Sequence, residues 1–155
     1  MAKKMAIIAT KGTLDMAYPP FILGSTAAAL GYDVQIFFTF YGLQLLKKDL
    51  SDVKISPLAN PAMPMPVPMP VMVQMLPGME SMATMMMKQK LAKHGVASLE
   101  ELRDLCLEAD VKFVACQMTV DLFEMDKSEF IDQVEYGGAA TFMSFAGDTD
   151  ICLFV

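Results

Sequence analysis

Residues 111–119 read Val111-Lys112-Phe113-Val114-Ala115-Cys116-Gln117-Met118-Thr119, a β-branched and apolar run that stops on a cysteine. Val111 to Ala115 predicts a buried strand, and Met118 to Met125 predicts a short helix just beyond it. A thiol at that junction sits where a sheet hands over to a helix N-terminus. In open α/β folds, ligands and chemistry collect at the carboxyl ends of the strands. The free N–H groups of a helix start favour a thiolate, which is the nucleophilic form of cysteine. Cys116 is therefore the first candidate for a reactive group.

Working outward, the flanking segments repeat the same grammar. Lys4 to Thr10 is continuously apolar rather than alternating, as expected of a strand covered on both faces. Lys11-Gly12-Thr13 turns out of it into an alanine-rich helical segment that runs to Leu30 and ends at Gly31. Pro19-Pro20 predicts that this helix either begins its main body there or kinks. Asp33 to Phe40 is a second strand, and Tyr41 to Lys48 a short helix closed by two lysines. A helix over Met79 to Lys93 follows. Ser98 with Glu101 forms a capping box that starts another, with Leu99, Leu102, Leu105, Cys106 and Ala109 on one face. Asp126 with Glu129 offers a further capping pair. Gly137-Gly138 opens a last helix to about Ala146, and Asp150 to Val155 closes the chain as a strand. Strands alternating with helices predict an α/β fold: three layers, a mostly parallel sheet of about five strands, and helices on both faces. The chain reads as a single domain over residues 1–155, with a proline- and methionine-rich insertion at about 57–78.

Composition narrows the function classes. Apolar residues make up 54% of the 155 residues and charged residues 19%, an apolar excess that predicts subunit contacts and a homo-oligomer. The net charge is −6 and no basic cluster exceeds the pairs Lys3-Lys4 and Lys47-Lys48, so nucleic acid binding is not expected. The apolar stretch from Ala62 to Met79 is broken by Pro64, Pro66, Pro68, Pro70 and Pro77, which rules it out as a membrane span. The N-terminus runs into an apolar strand with no signal-peptide pattern, and three scattered cysteines suit a reducing cytoplasm.

The remaining chemistry-bearing residues are weighed against packing. Cys106 lies on the apolar face of its helix, the position of a core thiol, yet its helix leads into the strand of Cys116 and leaves it as a partner or resolving thiol. Cys152 within Ile151-Cys152-Leu153-Phe154 reads as core. The single histidine, His94, sits at a helix end, so neither a Cys–His dyad nor a zinc spacing is present. Thr10-Lys11-Gly12-Thr13 lacks a nucleotide-binding spacing, and no metal or cofactor is expected. Lys11 reaches the same sheet edge as Cys116 and is expected to place a positive charge near its thiolate. Ten of the sixteen methionines lie between Met63 and Met87; without His or Cys among them, they read as a contact surface rather than a Cu(I) site.

The segments Ala9-Thr10-Lys11-Gly12-Thr13-Leu14-Asp15, Phe38-Thr39-Phe40-Tyr41-Gly42-Leu43, Asn60-Pro61-Ala62-Met63-Pro64, Glu101-Leu102-Arg103-Asp104-Leu105-Cys106, Ala115-Cys116-Gln117-Met118-Thr119 and Tyr136-Gly137-Gly138-Ala139 together resemble the DsrE/DsrF-like family. The likeness is to the branch of larger single-domain members associated with sulfur metabolism, and it spans nearly the whole chain in order. It implies a parallel α/β sheet, oligomeric assembly, and a cysteine that carries sulfane sulfur as a persulfide. The family's active cysteine falls on Cys116 and its partner cysteine on Cys106. Small sulfur-carrier proteins or rhodanese-like donors are the implied partners. Some relatives carry membrane segments, which this sequence lacks. The resulting expectation is a sulfur carrier or sulfurtransferase. A non-catalytic interaction subunit and a thiol peroxidase, with Cys106 resolving a sulfenic acid, stand as alternatives.

Overall fold

The computed structural model describes residues 1–55 and 70–155. The alternation of proline with Met or Val over 60–70 lies almost wholly outside them. Among these residues five strands form one sheet: β1 (Lys4–Ala9), β2 (Asp33–Phe38), β3 (Lys112–Cys116), β4 (Val134–Gly137) and β5 (Ile151–Phe154). They lie in the order β4-β3-β2-β1-β5, and every neighbouring pair is parallel. The α/β expectation therefore holds. Residues 134–137 escaped the sequence reading because Val-Glu-Tyr-Gly carries a charge and two half-buried positions, as an edge strand does.

Among the described residues six α-helices accompany the sheet: α1 (Leu14–Ala29), α2 (Val71–Gln74), α3 (Met79–Lys93), α4 (Leu99–Glu108), α5 (Gln117–Leu122) and α6 (Ala139–Ala146). Alternation along each strand splits the core in two. On one face, α1 and α4 cover Ile7, Ile36, Phe38, Phe113 and Ala115. Phe21 of α1 meets Phe38 and Phe113 at ring-centroid separations of 5.9 and 5.7 Å, so one aromatic residue welds the helix to two strands. On the other face the cover comes from α6, whose Phe142 packs with Ala6, Phe37, Val114 and Cys116. Ser98 closes the capping box of α4 as expected, accepting from the Glu101 N–H at 3.2 Å while Glu101 accepts from its own N–H at 2.9 Å.

Three local expectations change. The α1 helix runs through both Pro19 and Pro20 rather than starting there, so the carbonyls of Asp15 and Met16 lose their usual helical donor. The segment after β2 is a 3-10 helix, Phe40–Leu46. Its end is held by Arg103, whose Nη1 donates to the Leu45 and Lys47 carbonyls at 3.0 and 2.6 Å. Asp126 caps a 3-10 turn over Lys127–Glu129 by accepting from the Ser128 N–H.

What positions the site is a close approach of two loops. A Cβ on Gly42 would overlap the backbone carbonyl of Ala9, and one on Gly12 would overlap the carbonyl of Tyr41. The turn after β1 and the 3-10 segment after β2 can interlock only because both residues are glycine. Gly42→Ala is expected to cost about 2 kcal/mol or more, since the obstacle is backbone and cannot swing away. A fall of roughly 5 °C in the thermal unfolding midpoint would report it.

Candidate functional site around Cys116

The carboxyl edge of the sheet brings the ends of four strands level. Ala9 is in register with Phe38, Phe38 with Ala115, and Cys116 with Gly137. Cys116 ends β3 and is the N-cap of α5, with φ −68° and ψ 110°. Its side chain follows Val114 to the α6 face of the sheet and is 5% exposed. The thiol is thus recessed at the rim rather than sealed in the core.

Two threonines complete the recess. Thr119, fully buried, stands three residues after Cys116 on the first turn of α5. Thr39 follows β2, and its Oγ1 lies 3.2 Å from Thr119 Oγ1. The Phe40 N–H donates to Thr119 Oγ1 at 3.3 Å. Phe40 holds φ 50°, a left-handed conformation uncommon for an aromatic residue, at the start of the segment that follows β2.

Burial pushes the Cys116 thiol up. Hydrogen bonds from the Thr119 hydroxyl and N–H, the Thr39 hydroxyl and the Met118 N–H outweigh that and hold its pKa below the ordinary cysteine value. The helix start acts as the sequence predicts, through the N–H groups of Met118 and Thr119 in the first turn of α5, and the two threonine hydroxyls add to it. Lys11 is not among the groups that act on the thiol. The threonines were missed, although Thr119 left a signal: in Cys116-x-x-Thr119 it occupies the third helical position, whose side chain reaches back to the N-cap.

Cys106 is placed elsewhere. It is fully buried on α4, its Sγ donating to the Phe21 carbonyl at 3.3 Å, and it belongs to the α1/α4 face of the core. The sheet separates it from Cys116. Burial raises its pKa to about 12. Because the unfolded thiol ionises near 9, the unfolded chain binds fewer protons than the native one between about pH 9 and 12. Stability therefore falls as pH rises through that window, by up to about 1.4 kcal/mol per pH unit. Denaturant titrations in that range should show a shallower decline for Cys106→Ala than for the parent.

Cys152 corrects the sequence reading. It is exposed, because β5 is an edge strand and α6 leaves that margin uncovered. Through its register with Ala6 it shares the sheet face of Cys116. His94 ends α3 as its C-cap. Among the described residues no group of three His, Cys, Asp or Glu side chains could hold a metal ion. Among them, too, no helix is long and apolar enough to cross a membrane.

Beside the recess the surface is aromatic. Phe40 and Tyr41 both contact the Phe123 ring, at centroid distances of 6.1 and 5.9 Å, and all three are exposed together with Met118 and Leu122. A groove of about 390 Å³ runs along this edge between Tyr41, Gln44, Phe123, Glu124 and Glu129. The arrangement offers a stabilised thiolate on a sheet edge that also carries an exposed aromatic groove.

The chain is 67% identical over 157 aligned residues to the sulfur carrier protein DsrE2 of Allochromatium vinosum, covering 99% of this chain and 98% of the relative. It is 31% identical to the uncharacterized protein YrkE of Bacillus subtilis, covering 99% of this chain and 97% of that one. The crystal structure of the ychN protein from E. coli shares the fold over the full length of both chains, with a TM-score of 0.54 at 11% identity. The model of the DsrE/DsrF/DrsH-like family matches residues 1–154, and the chain belongs to that family.

Proposed function

We propose that the protein is a sulfur carrier that holds sulfane sulfur as a persulfide on Cys116 and relays it to a partner thiol. The supporting observation is the cradle of Thr119, Thr39 and Met118 donors that favours the Cys116 thiolate. The thiolate attacks the sulfane sulfur of a donor, a new S–S bond forms, and the donor leaves as its thiolate or sulfinate. An acceptor thiolate then attacks the outer sulfur, the Cys116 S–S bond breaks, and Cys116 departs as thiolate. No net oxidant is consumed. A lowered pKa serves both halves, raising the thiolate fraction for attack and making Cys116 a better leaving group. Partners are small sulfur-carrier proteins or rhodanese-like donors of the cytoplasm. Cys106 acts as a packing residue, since its burial across the sheet keeps it from exchanging with Cys116.

Trypsin separates the three thiols into residues 104–112, 113–127 and 128–155. After incubation with polysulfide or a thiosulfonate, mass spectrometry should find the added sulfur on 113–127. Sulfur confined to either other peptide, or absent from all three, would overturn the reading.

A further inference from the structure

The α3 helix rests lightly on the fold. Of its 15 residues only Ala83 and Thr84 are buried, and Thr84 Oγ1 ties it to the preceding chain by accepting from the Ile55 N–H at 2.9 Å. Away from that anchor the helix leaves hollows against α1 and the start of α4. One of about 350 Å³ lies between Leu14, Tyr18, Leu50, Leu91, Val96 and Leu99. Another, of about 260 Å³, shares Leu14, Tyr18, Leu91 and Val96 with it. Together they make one largely apolar chamber of the size that takes a small ligand. Tyr18 commits its hydroxyl to the Ala97 carbonyl at 3.3 Å and leaves its ring to the chamber.

Next to the chamber, sharing Lys88 and Ala92 with it, is a hollow of about 460 Å³ and opposite character. Lys54 and Lys88 line it together with Ser51, Ser81 and Gln89, and no carboxylate does. Among the described residues neither lysine makes an ion pair, and residues 56–69 hold no acidic side chain that could serve one. Two uncompensated ammonium groups beside one hollow, in a chain of net charge −6, are what a bound anion would neutralise. The chamber also has carboxylates at its α4 margin, Glu100 and Glu101, but Glu101 is committed to the Ser98 N–H. A cation would therefore find one uncommitted carboxylate where an anion finds two ammonium groups.

We propose that α1, α3 and the segment from Leu50 to Lys54 form a binding site for an amphipathic monoanion of the medium-chain carboxylate class. Its apolar body fills the chamber and its headgroup lies between Lys54 and Lys88. The chamber alone would take a neutral apolar molecule, and the lysines alone a small inorganic anion. Their adjacency selects a ligand that has both parts. The site is on the α1/α4 side of the sheet, where Leu14 and Leu99 join the core, whereas Cys116 faces α6. It is separate from the thiol and does not depend on what Cys116 carries.

Calorimetric titration of the full chain with molecularly dispersed decanoate tests it. Binding is expected at a single site and should tighten about fourfold for each methylene from hexanoate to decanoate, the ratio that follows from burying one CH₂ group. Decyltrimethylammonium, with the same tail and the opposite charge, should bind at least about tenfold more weakly than decanoate. The double variant K54M/K88M keeps both aliphatic stems, so its thermal midpoint should match the parent while its decanoate affinity falls at least about tenfold. Val96→Trp, at an exposed position that lines both parts of the chamber, should weaken decanoate and decyltrimethylammonium alike. No decanoate binding, no dependence on chain length, a preference for the cation, unchanged affinity in K54M/K88M, or binding only to phosphatidylglycerol vesicles would overturn the proposal. Sulfur loading of peptide 113–127, measured on the same preparations, reads the carrier function separately.

Discussion

Incubated with polysulfide, the Cys116→Ser variant is expected to keep its unmodified mass while the parent gains sulfur. Serine preserves the size of the side chain and the hydrogen-bonding recess of Thr119 and Thr39, so the fold should be undisturbed. Its hydroxyl is far less acidic than a thiol and offers no polarizable sulfur to attack a sulfane sulfur. The expected loss of loading rate is at least about a thousandfold, the scale seen when a nucleophile is removed. Cys106→Ser is expected to behave in the opposite way. Its loading should match the parent, because that thiol is fully buried on the far face of the sheet and is held protonated up to about pH 12. Its stability should drop by about 1–2 kcal/mol, the cost of a hydroxyl in an apolar core with one carbonyl partner. Full loading in Cys116→Ser, or lost loading in Cys106→Ser, would exchange the roles given to the two thiols.

The second large effect belongs to Thr119→Val. Valine fills the same buried volume but removes the donor to the Cys116 thiolate and the acceptor of the Phe40 N–H. The thiol pKa, read from the pH dependence of alkylation, is expected to rise toward that of a free cysteine. At neutral pH that lowers the thiolate fraction, and with it the loading rate, by up to about tenfold. Thr119→Ser keeps the hydroxyl and should retain the parent profile. The pair thus separates a hydrogen bond from mere packing. An unchanged profile in Thr119→Val would place the source of thiolate stabilisation elsewhere. Thr39→Val should shift the profile in the same direction by less, since the Thr119 hydroxyl is the stronger of the two side-chain donors.

Much of this site was legible along the chain, and the parts that were not share one cause. The strand-to-cysteine junction at 111–116 could be read because a buried parallel strand is written in consecutive apolar residues. The capping box at Ser98 is likewise a short-range pattern, and it formed as expected. By contrast, Lys11 was expected near the thiol from edge geometry alone, and the side-chain donors are instead Thr119 on the first turn of α5 and Thr39 just after β2. Cys152 shows the same limit, since it sits in apolar surroundings in sequence yet ends on an uncovered edge, whereas the core position of Cys106 was legible from its helix face.

By itself the sequence determined the alternation of strands and helices, the parallel sheet they imply, and the thiol at the end of β3, because each follows from the chemistry of residues close together in the chain. Only the tertiary structure decided which face each thiol takes, that Thr39 and Thr119 meet beside Cys116, and that β5 lies at an edge. Those are outcomes of strand order and register, which bring together residues 80 positions apart through contacts that no local pattern encodes.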